Sequence, residues 1–226
     1  MIGTLFGAAV LIVVAYVVGA RRGRGTERAL TKTLGERAEE LVAARNEIQR
    51  LGSRDALTGL TNEQYLETFL EREWRRAQRY QAPLSLIMID VDYFKAYNER
   101  LGQQAGDACL KVVADALRSA ARRSGDLVAR YGVKGFVVVM SGTDGAGAVS
   151  VAAHLRSTVE ALGLPHPVSK TADHVTITLG VATSVPSRDA TWQEIELIAR
   201  AERALSQAKD LGRNRVAQAD EPGAGS

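Results

Sequence analysis

The chain has 226 residues, a length that suits one globular domain with accessory segments. Hydrophobic residues make up 46% and charged residues 24%, ordinary proportions for a chain that buries a core. The net charge of +3 arises within residues 21–50, which hold eight Lys or Arg and five Asp or Glu, so a basic, nucleic-acid-binding domain surface is not supported. Cys109 is the single cysteine, which excludes an internal disulfide and fits a reducing compartment.

Residues 2–20 carry no charge and approach the roughly 20 residues that a helix needs to cross a bilayer. Arg21, Arg22 and Arg24 follow directly, and basic residues favour the cytoplasmic side of a membrane. We therefore expect a signal anchor at residues 1–20, a single pass, and a cytoplasmic carboxyl-terminal part. A cleaved signal peptide and a buried helix are the alternatives.

Residues 21–52 are rich in charge and contain no proline. Leu34, Leu41 and Ile48 recur at heptad spacing, while Arg37 interrupts the second apolar position. The pattern predicts a short parallel coiled coil that makes a homodimer through residues 26–51. The alternative is a solvated helical linker.

The remaining chain alternates helix and strand patterns and ends in a tail at 218–226 that we expect to be disordered. Helices are predicted from periodic apolar residues at Glu63–Tyr80 (with Asn62 as cap), Leu110–Ala121, Ala148–Leu162 and Trp192–Asp210. Strands are predicted at Leu84–Val91, at Leu127–Ala129 and Phe136–Met140 around a glycine-bounded turn, and at His174–Ala182.

Acidic residues stand at the end of the apolar strand Leu84–Val91. A carboxylate at the end of a buried strand is costly unless it meets a cation or hydrogen-bond donors. Asp90 therefore indicates a metal or phosphate site, whereas Asp92 is interpreted as a helix cap.

Four ordered segments resemble the GGDEF family, the diguanylate cyclase domains, and together they cover about Asp55 to Val216. The segments read RDALTGLTN from Arg54, DVDYFKAYNERLGQQAGD from Asp90, RSGDLVARYGVKGF from Arg123 and AKDLGRNRV from Ala208. The resemblance implies an α+β, nucleotidyl-cyclase-like fold at residues 53–217, with a central, mostly antiparallel sheet flanked by helices. It also implies bacterial cyclic di-GMP signalling at the inner membrane.

The resemblance assigns roles to individual residues. In an active cyclase, two domains each hold one GTP, and Mg²⁺ ions bind the strand acid, here Asp90, and the third residue of the turn. The remnant of the GTP site would comprise Phe94, Lys95, Asn98, Asp107, Lys209 and Arg213, of which Asn98 and Asp107 read guanine and Lys209 and Arg213 hold the triphosphate.

The turn departs from the family pattern, because it reads Gly132, Val133, Lys134, Gly135 and Phe136 where the family has GG(D/E)EF. Lys134 places a cation where the resemblance requires a metal-binding anion, and Mg²⁺ needs oxygen ligands. We therefore expect no catalysis and no cofactor, with Mg²⁺ required only if cyclase activity is retained. Lys134 would either pair with Asp90 in place of the metal or project into water.

The RxxD pattern of Arg123 and Asp126 is intact, and in the family it is the inhibitory site for cyclic di-GMP. Arginine pairs with guanine acceptors, and aspartate accepts from guanine donors. A further helix arginine completes this site in some relatives, and His154 or Arg156 comes nearest here.

Three functions follow from these observations. The first is a membrane-anchored cyclic di-GMP effector that signals to an unknown protein partner. The second is a diguanylate cyclase that uses GTP. The third is a dimerisation scaffold that binds no nucleotide.

Overall fold

The computed structural model describes residues 37, 52–121, 123, 125–187 and 194–220. The anchor predicted for residues 1–20, nearly all of the helix predicted for 21–52 and most of the tail at 218–226 lie outside these residues. Within the described ranges, no helix is both long and apolar enough to cross a membrane.

The described residues form a five-stranded sheet with helices on both faces. The strands are β1 (Leu84–Val91), β2 (Leu127–Tyr131), β3 (Gly135–Ser141), β4 (Ile177–Ser184) and β5 (Val216–Gln218). The helices are α1 (Glu63–Tyr80), α2 (Phe94–Leu101), α3 (Gln103–Ala120), α4 (Gly145–Glu160) and α5 (Glu194–Asp210). This arrangement confirms the predicted α+β fold.

The sheet is mixed, with the strand order β2-β3-β1-β4-β5. Its first four strands pair antiparallel, and β5 pairs parallel with β4. All eight residues of β1 are buried, as its continuous apolar sequence predicts for a central strand. Asp90 thus ends a strand that is paired on both sides, next to Gly135 of β3 and Thr178 of β4.

Alternating side chains of β1 pack into two separate hydrophobic cores, one on each face of the sheet. Leu84, Leu86 and Met88 pack with residues of α1 and α5 on one face of the sheet. Ile87, Ile89 and Val91 pack with residues of α2, α3 and α4 on the other face. By the same alternation, Asp90 lies on the α1/α5 face.

Several predicted bounds differ from the structure. The helix α2 was not predicted. The helix α3 begins seven residues before Leu110 and runs through Gly106, although glycine is unfavourable in the interior of a helix. The strand β4 begins at Ile177 rather than at His174, whose backbone forms an isolated bridge with Pro165 instead. The bounds of α1 and β1 agree with the prediction, and Asn62 caps α1 by accepting a hydrogen bond from the backbone N–H of Tyr65.

Candidate functional site

Two lysines converge on the carboxylate of Asp90. The Nζ atom of Lys134 lies 3.0 Å from Asp90 Oδ2, and the Nζ atom of Lys209 lies 2.8 Å from the same oxygen. The Asp90 side chain is only 10% exposed, whereas Lys134 and Lys209 are 43% and 28% exposed. The structure therefore joins the two residues whose pairing was hypothesised and adds Lys209 as a second partner.

The β2–β3 turn holds Lys134 in place through glycine geometry at both ends. Gly132 has φ +60°, a conformation that favours glycine, whereas Val133 has no positive φ and is 80% exposed. A Cβ atom added to Gly135 would lie 2.7 Å from the carbonyl oxygen of Tyr131 and 3.2 Å from that of Ile89. A side chain at this position would therefore separate the turn from β1 and move Lys134 away from Asp90.

Arg130 stabilises the turn by hydrogen bonds to its backbone carbonyls, a role that the sequence did not reveal. Its Nε donates to the Gly132 carbonyl at 3.2 Å, its Nη2 donates to the Val133 carbonyl, and its guanidinium lies over the Phe136 ring at 5.1 Å. Burial lowers the pKa of Arg130, and nearby Asp55 and Asp107 partly oppose this shift. The only sequence signal was an arginine within an otherwise β-prone segment.

Asp92 does not cap a helix, which corrects that interpretation. Tyr93 is the residue that precedes α2, and no side chain caps this helix. The Asp92 carboxylate is 1% exposed and accepts hydrogen bonds from the hydroxyls of Thr176 and Thr178 at 2.8 and 2.5 Å and from the Asn214 backbone N–H at 3.2 Å. Asp92 therefore ties β1 to β4 and to the loop after α5.

Three residues around Asp92 adopt the left-handed backbone conformation without being glycine. They are Tyr93 (φ +51°), Arg213 (φ +60°) and Asn214 (φ +46°). The Arg213 guanidinium lies over the Tyr93 ring at 4.7 Å, with its Nη1 3.4 Å from the Tyr93 hydroxyl. Such conformations cost about 1 to 3 kcal/mol each and cluster at functional sites. They hold Arg213 at the same end of the sheet as Asp90.

The remaining predicted nucleotide residues are not all brought together. Phe94 is buried in the core and stacks on Tyr97, while Lys95 is exposed and 3.9 Å from Glu99. Asn98 and Asp107 flank Gly106 between α2 and α3, where a Cβ atom on Gly106 would come within 1.8 Å of Asn98 Oδ1.

The Asn98 Oδ1 atom is buried, and no hydrogen bond to it is found in the part of the chain that the structure describes. The side chain of Asp107 accepts from Gln103 Nε2 at 3.0 Å. A buried acceptor without a donor is unusual and is relieved when a ligand supplies one.

The RxxD pair lies in a tight turn just before β2. The Asp126 backbone N–H donates to the Arg123 carbonyl at 3.0 Å, and the exposed Arg123 side chain donates to the Thr143 hydroxyl at 3.2 Å. Burial raises the pKa of Asp126, and the Arg123 charge partly offsets the shift.

Arg156 does not lie beside the RxxD pair. Its Nη1 donates to Glu160 and to Asn214, both at 2.8 Å, whereas Arg123 contacts Thr143, which precedes the first residue of α4. Along a helix that rises about 1.5 Å per residue, these positions are more than 15 Å apart. The structure does not bring Arg156 to Arg123.

The groups around Asp90 do not fit a magnesium ion. Mg²⁺ requires oxygen ligands in near-octahedral geometry, but two ammonium groups lie against Asp90 Oδ2. Two unit charges of like sign 4 Å apart repel by about 4 kcal/mol near a protein surface. In the described part of the chain, no three metal-binding side chains cluster.

A cleft of about 340 Å³ opens above this ion cluster. Asp90, Lys134 and Lys209 line it together with Tyr131, Glu202 and Ser206. Glu202 is exposed, and its carboxylate lies 3.5 Å from the Tyr131 hydroxyl. The cleft is thus lined by two cations, Lys134 and Lys209, and by two acids, Asp90 and Glu202.

Comparison with known proteins places the fold and these residues in one family. The family model described as "Diguanylate cyclase, GGDEF domain" matches residues 53–215. The probable diguanylate cyclase DgcC of Escherichia coli is 31% identical over 79% of this chain and 46% of its own length. The response regulator PleD of Caulobacter vibrioides is 35% identical over 72% of this chain and 35% of its own length. The chain thus matches less than half of each of these relatives.

Solved structures agree with this placement. The GGDEF domain of DgcB from Caulobacter crescentus, in complex with c-di-GMP, superposes with a TM-score of 0.66 at 25% identity, covering 75% of this chain and 94% of that one. The diguanylate cyclase SiaD of Pseudomonas aeruginosa, in complex with its activator SiaC, gives 0.69 at 29% identity, covering 94% of this chain and 80% of that one. The chain belongs to the GGDEF domain family of diguanylate cyclases.

Proposed function

We propose that this chain is a membrane-anchored, catalytically degenerate GGDEF protein that binds cyclic di-GMP at Arg123 and Asp126. The observation that carries the proposal is the turn before β2 that joins the backbones of Arg123, which is exposed, and Asp126, which is half-buried. Guanine offers acceptors that suit arginine and donors that suit aspartate. The c-di-GMP complex of the DgcB domain supports the choice of ligand.

The cluster at Asp90 supports the loss of catalysis. A cyclase must neutralise the charge that builds on the reacting phosphates, a task that divalent cations perform in such transfers. The Lys134 ammonium lies 3.0 Å from Asp90 Oδ2, the acid to which the family resemblance assigns metal binding. An exposed lysine contributes one positive charge and no coordination sites for water or phosphate, so we expect no turnover of GTP.

Signalling in this proposal passes through the predicted anchor at residues 1–20 and the predicted dimer helix at 26–51. The effector binds cyclic di-GMP at the cytoplasmic face of the inner membrane and transmits occupancy to a protein partner. The alternative functions, a diguanylate cyclase or a nucleotide-free scaffold, make different predictions for the same titration.

The test is calorimetric titration of the full chain, in mild detergent, with cyclic di-GMP. We expect binding, loss of binding in Arg123→Ala, and unchanged binding in Arg75→Ala, which removes an exposed arginine from an ion pair with Glu71. Chromatographic detection of cyclic di-GMP after incubation with GTP and Mg²⁺ tests the cyclase. Absence of binding would leave the scaffold, and turnover of GTP would establish the enzyme.

A further inference from the structure

The charges around Asp90 differ from those of a metal site, because two ammonium groups pair with one carboxylate, and they suit an anionic ligand. Lys134 and Lys209 reach the same carboxylate oxygen at 3.0 and 2.8 Å, so their ammonium nitrogens are at most 5.8 Å apart. One carboxylate balances only one of the two positive charges. The cluster of these three side chains therefore carries one unit of positive charge, while Glu202 adds one negative charge elsewhere in the lining of the cleft.

A third cation, Arg213, lies near the backbone of Lys209 but is not among the residues that line the cleft. The Nη1 atom of Arg213 lies 3.5 Å from the Lys209 carbonyl oxygen, one turn beyond the end of α5. The stack of Arg213 on Tyr93 fixes its orientation without consuming its charge, since the tyrosine is neutral. Within the described residues, Arg213 has no acidic partner in an ion pair.

Both lysines remain accessible from the cleft, at 43% and 28% exposure. An ammonium group has three donors, of which Asp90 occupies one on each lysine. The others are available to an anion that enters the space of about 340 Å³.

We propose that this cleft binds the phosphate chain of a nucleoside polyphosphate without a divalent cation, with Lys134 supplying the charge that the metal would supply. Lys209 contacts the same chain, and Asp90 positions the two lysines rather than a metal. The recognised chemistry is a free, multiply charged phosphate, so Mg²⁺ competes with the site by neutralising its ligand. This inference does not rest on cyclic di-GMP binding at Arg123.

The experiment measures equilibrium binding of GTP to the full chain, in detergent, with EDTA and separately with MgCl₂. We expect binding in EDTA that is as tight as in MgCl₂ or tighter. Pyrophosphate should displace GTP in EDTA, because the phosphates carry the recognition. A strict requirement for Mg²⁺, an absence of GTP binding, or a failure of pyrophosphate to compete would each overturn the proposal.

Variants test the role of Lys134 directly. Lys134→Gln should weaken binding in EDTA about tenfold or more, the loss expected for one charge-assisted hydrogen bond. Lys134→Asp restores a carboxylate and should make binding depend on Mg²⁺. Lys111→Gln, at an exposed position of α3, is the matched control and should bind as the unaltered chain does.

Lys134 is exposed and lies in a turn, so its variants should fold, and circular dichroism checks this. A Lys134→Gln variant that binds as tightly as Lys111→Gln in EDTA would refute the assignment. Arg123→Ala provides an independent check, because it should abolish cyclic di-GMP binding and leave GTP binding in EDTA unchanged. Failure of the cyclic di-GMP site is therefore separable from failure of the phosphate site.

Discussion

Replacing Asp92 separates its two interpretations by magnitude. A surface carboxylate that caps a helix contributes about 1 kcal/mol. In the structure, Asp92 is 1% exposed and accepts three hydrogen bonds, from Thr176, Thr178 and the backbone of Asn214. Hydrogen bonds to a charged group are worth about 1.5 to 3 kcal/mol each, and they do not add fully when they share one acceptor.

We therefore expect Asp92→Ala to lower the free energy of unfolding by about 3 to 5 kcal/mol, because it leaves the buried hydroxyls of Thr176 and Thr178 without their acceptor and the Asn214 N–H with Thr178 Oγ1 alone. Asp92→Asn keeps one acceptor oxygen and should lose less. Since 1 kcal/mol shifts the melting temperature of a domain of this size by about 2 to 4 °C, the alanine variant should melt at least about 6 °C lower.

The assay is urea unfolding followed by far-ultraviolet circular dichroism, with the slope held common to all variants. The matched control is Asp115→Ala, which removes an exposed carboxylate paired with Arg118 and should cost less than about 1 kcal/mol. A loss near 1 kcal/mol for Asp92→Ala, equal to the control, would show that the carboxylate does not hold the three donors.

Three further outcomes follow from buried groups. Gly180→Ala should prevent folding or lower the free energy of unfolding by several kcal/mol, because the new Cβ atom would lie 2.2 Å from a backbone oxygen of α5. Thermal melting measures this loss. The control that should be tolerated is Gly163→Asn, at a turn where φ is positive and the space around the residue is open. Burial raises the pKa of the Cys109 thiol to about 11. The neutral thiol therefore stabilises the fold by about 3 kcal/mol below pH 9, and this contribution is lost as the pH rises from 9 to 11. Denaturation of the chain and of Cys109→Ala across that range measures the difference, and an equal pH dependence of the two would contradict the prediction. Because burial raises the pKa of Asp126 and guanine recognition needs the carboxylate ionised, cyclic di-GMP affinity should fall on acidification at a higher pH than for an ordinary aspartate; calorimetry over a pH series checks this, and a flat profile would refute it.

The sequence predicts the elements whose signal is local. The helix α1 shows periodic apolar residues after a cap, and β1 is a continuous apolar run, so both were located with the observed bounds. The helix α2 escaped because only Phe94 and Tyr97 of its eight residues are buried. The three-residue strand β5 forms by pairing with β4, a contact that no local pattern encodes.

The candidate site likewise contains features that the local sequence predicts and features that it does not predict. The pairing of Lys134 with Asp90 could be hypothesised because the turn follows from its glycines and Asp90 ends a recognisable strand. The environment of Asp92 could not, since it depends on Asn214, which is 122 positions away and adopts a left-handed backbone conformation that no local pattern in the sequence signals. Arg130 was missed because its partners are backbone carbonyls, which every sequence possesses.

The strand β2 carries more connections than its edge position requires. Thr61 donates from its backbone N–H to the Val128 carbonyl at 3.3 Å and accepts from the Arg130 N–H at 2.7 Å, so the segment before α1 covers part of the exposed edge of the sheet. Thr61 therefore joins the segment that precedes α1 to β2. The same short strand lies directly between Asp126 and Gly132, so a shift of β2 along β3 would move the RxxD turn and the Lys134 turn together. The strand β2 thus connects the RxxD turn and the Lys134 turn to the segment that precedes α1.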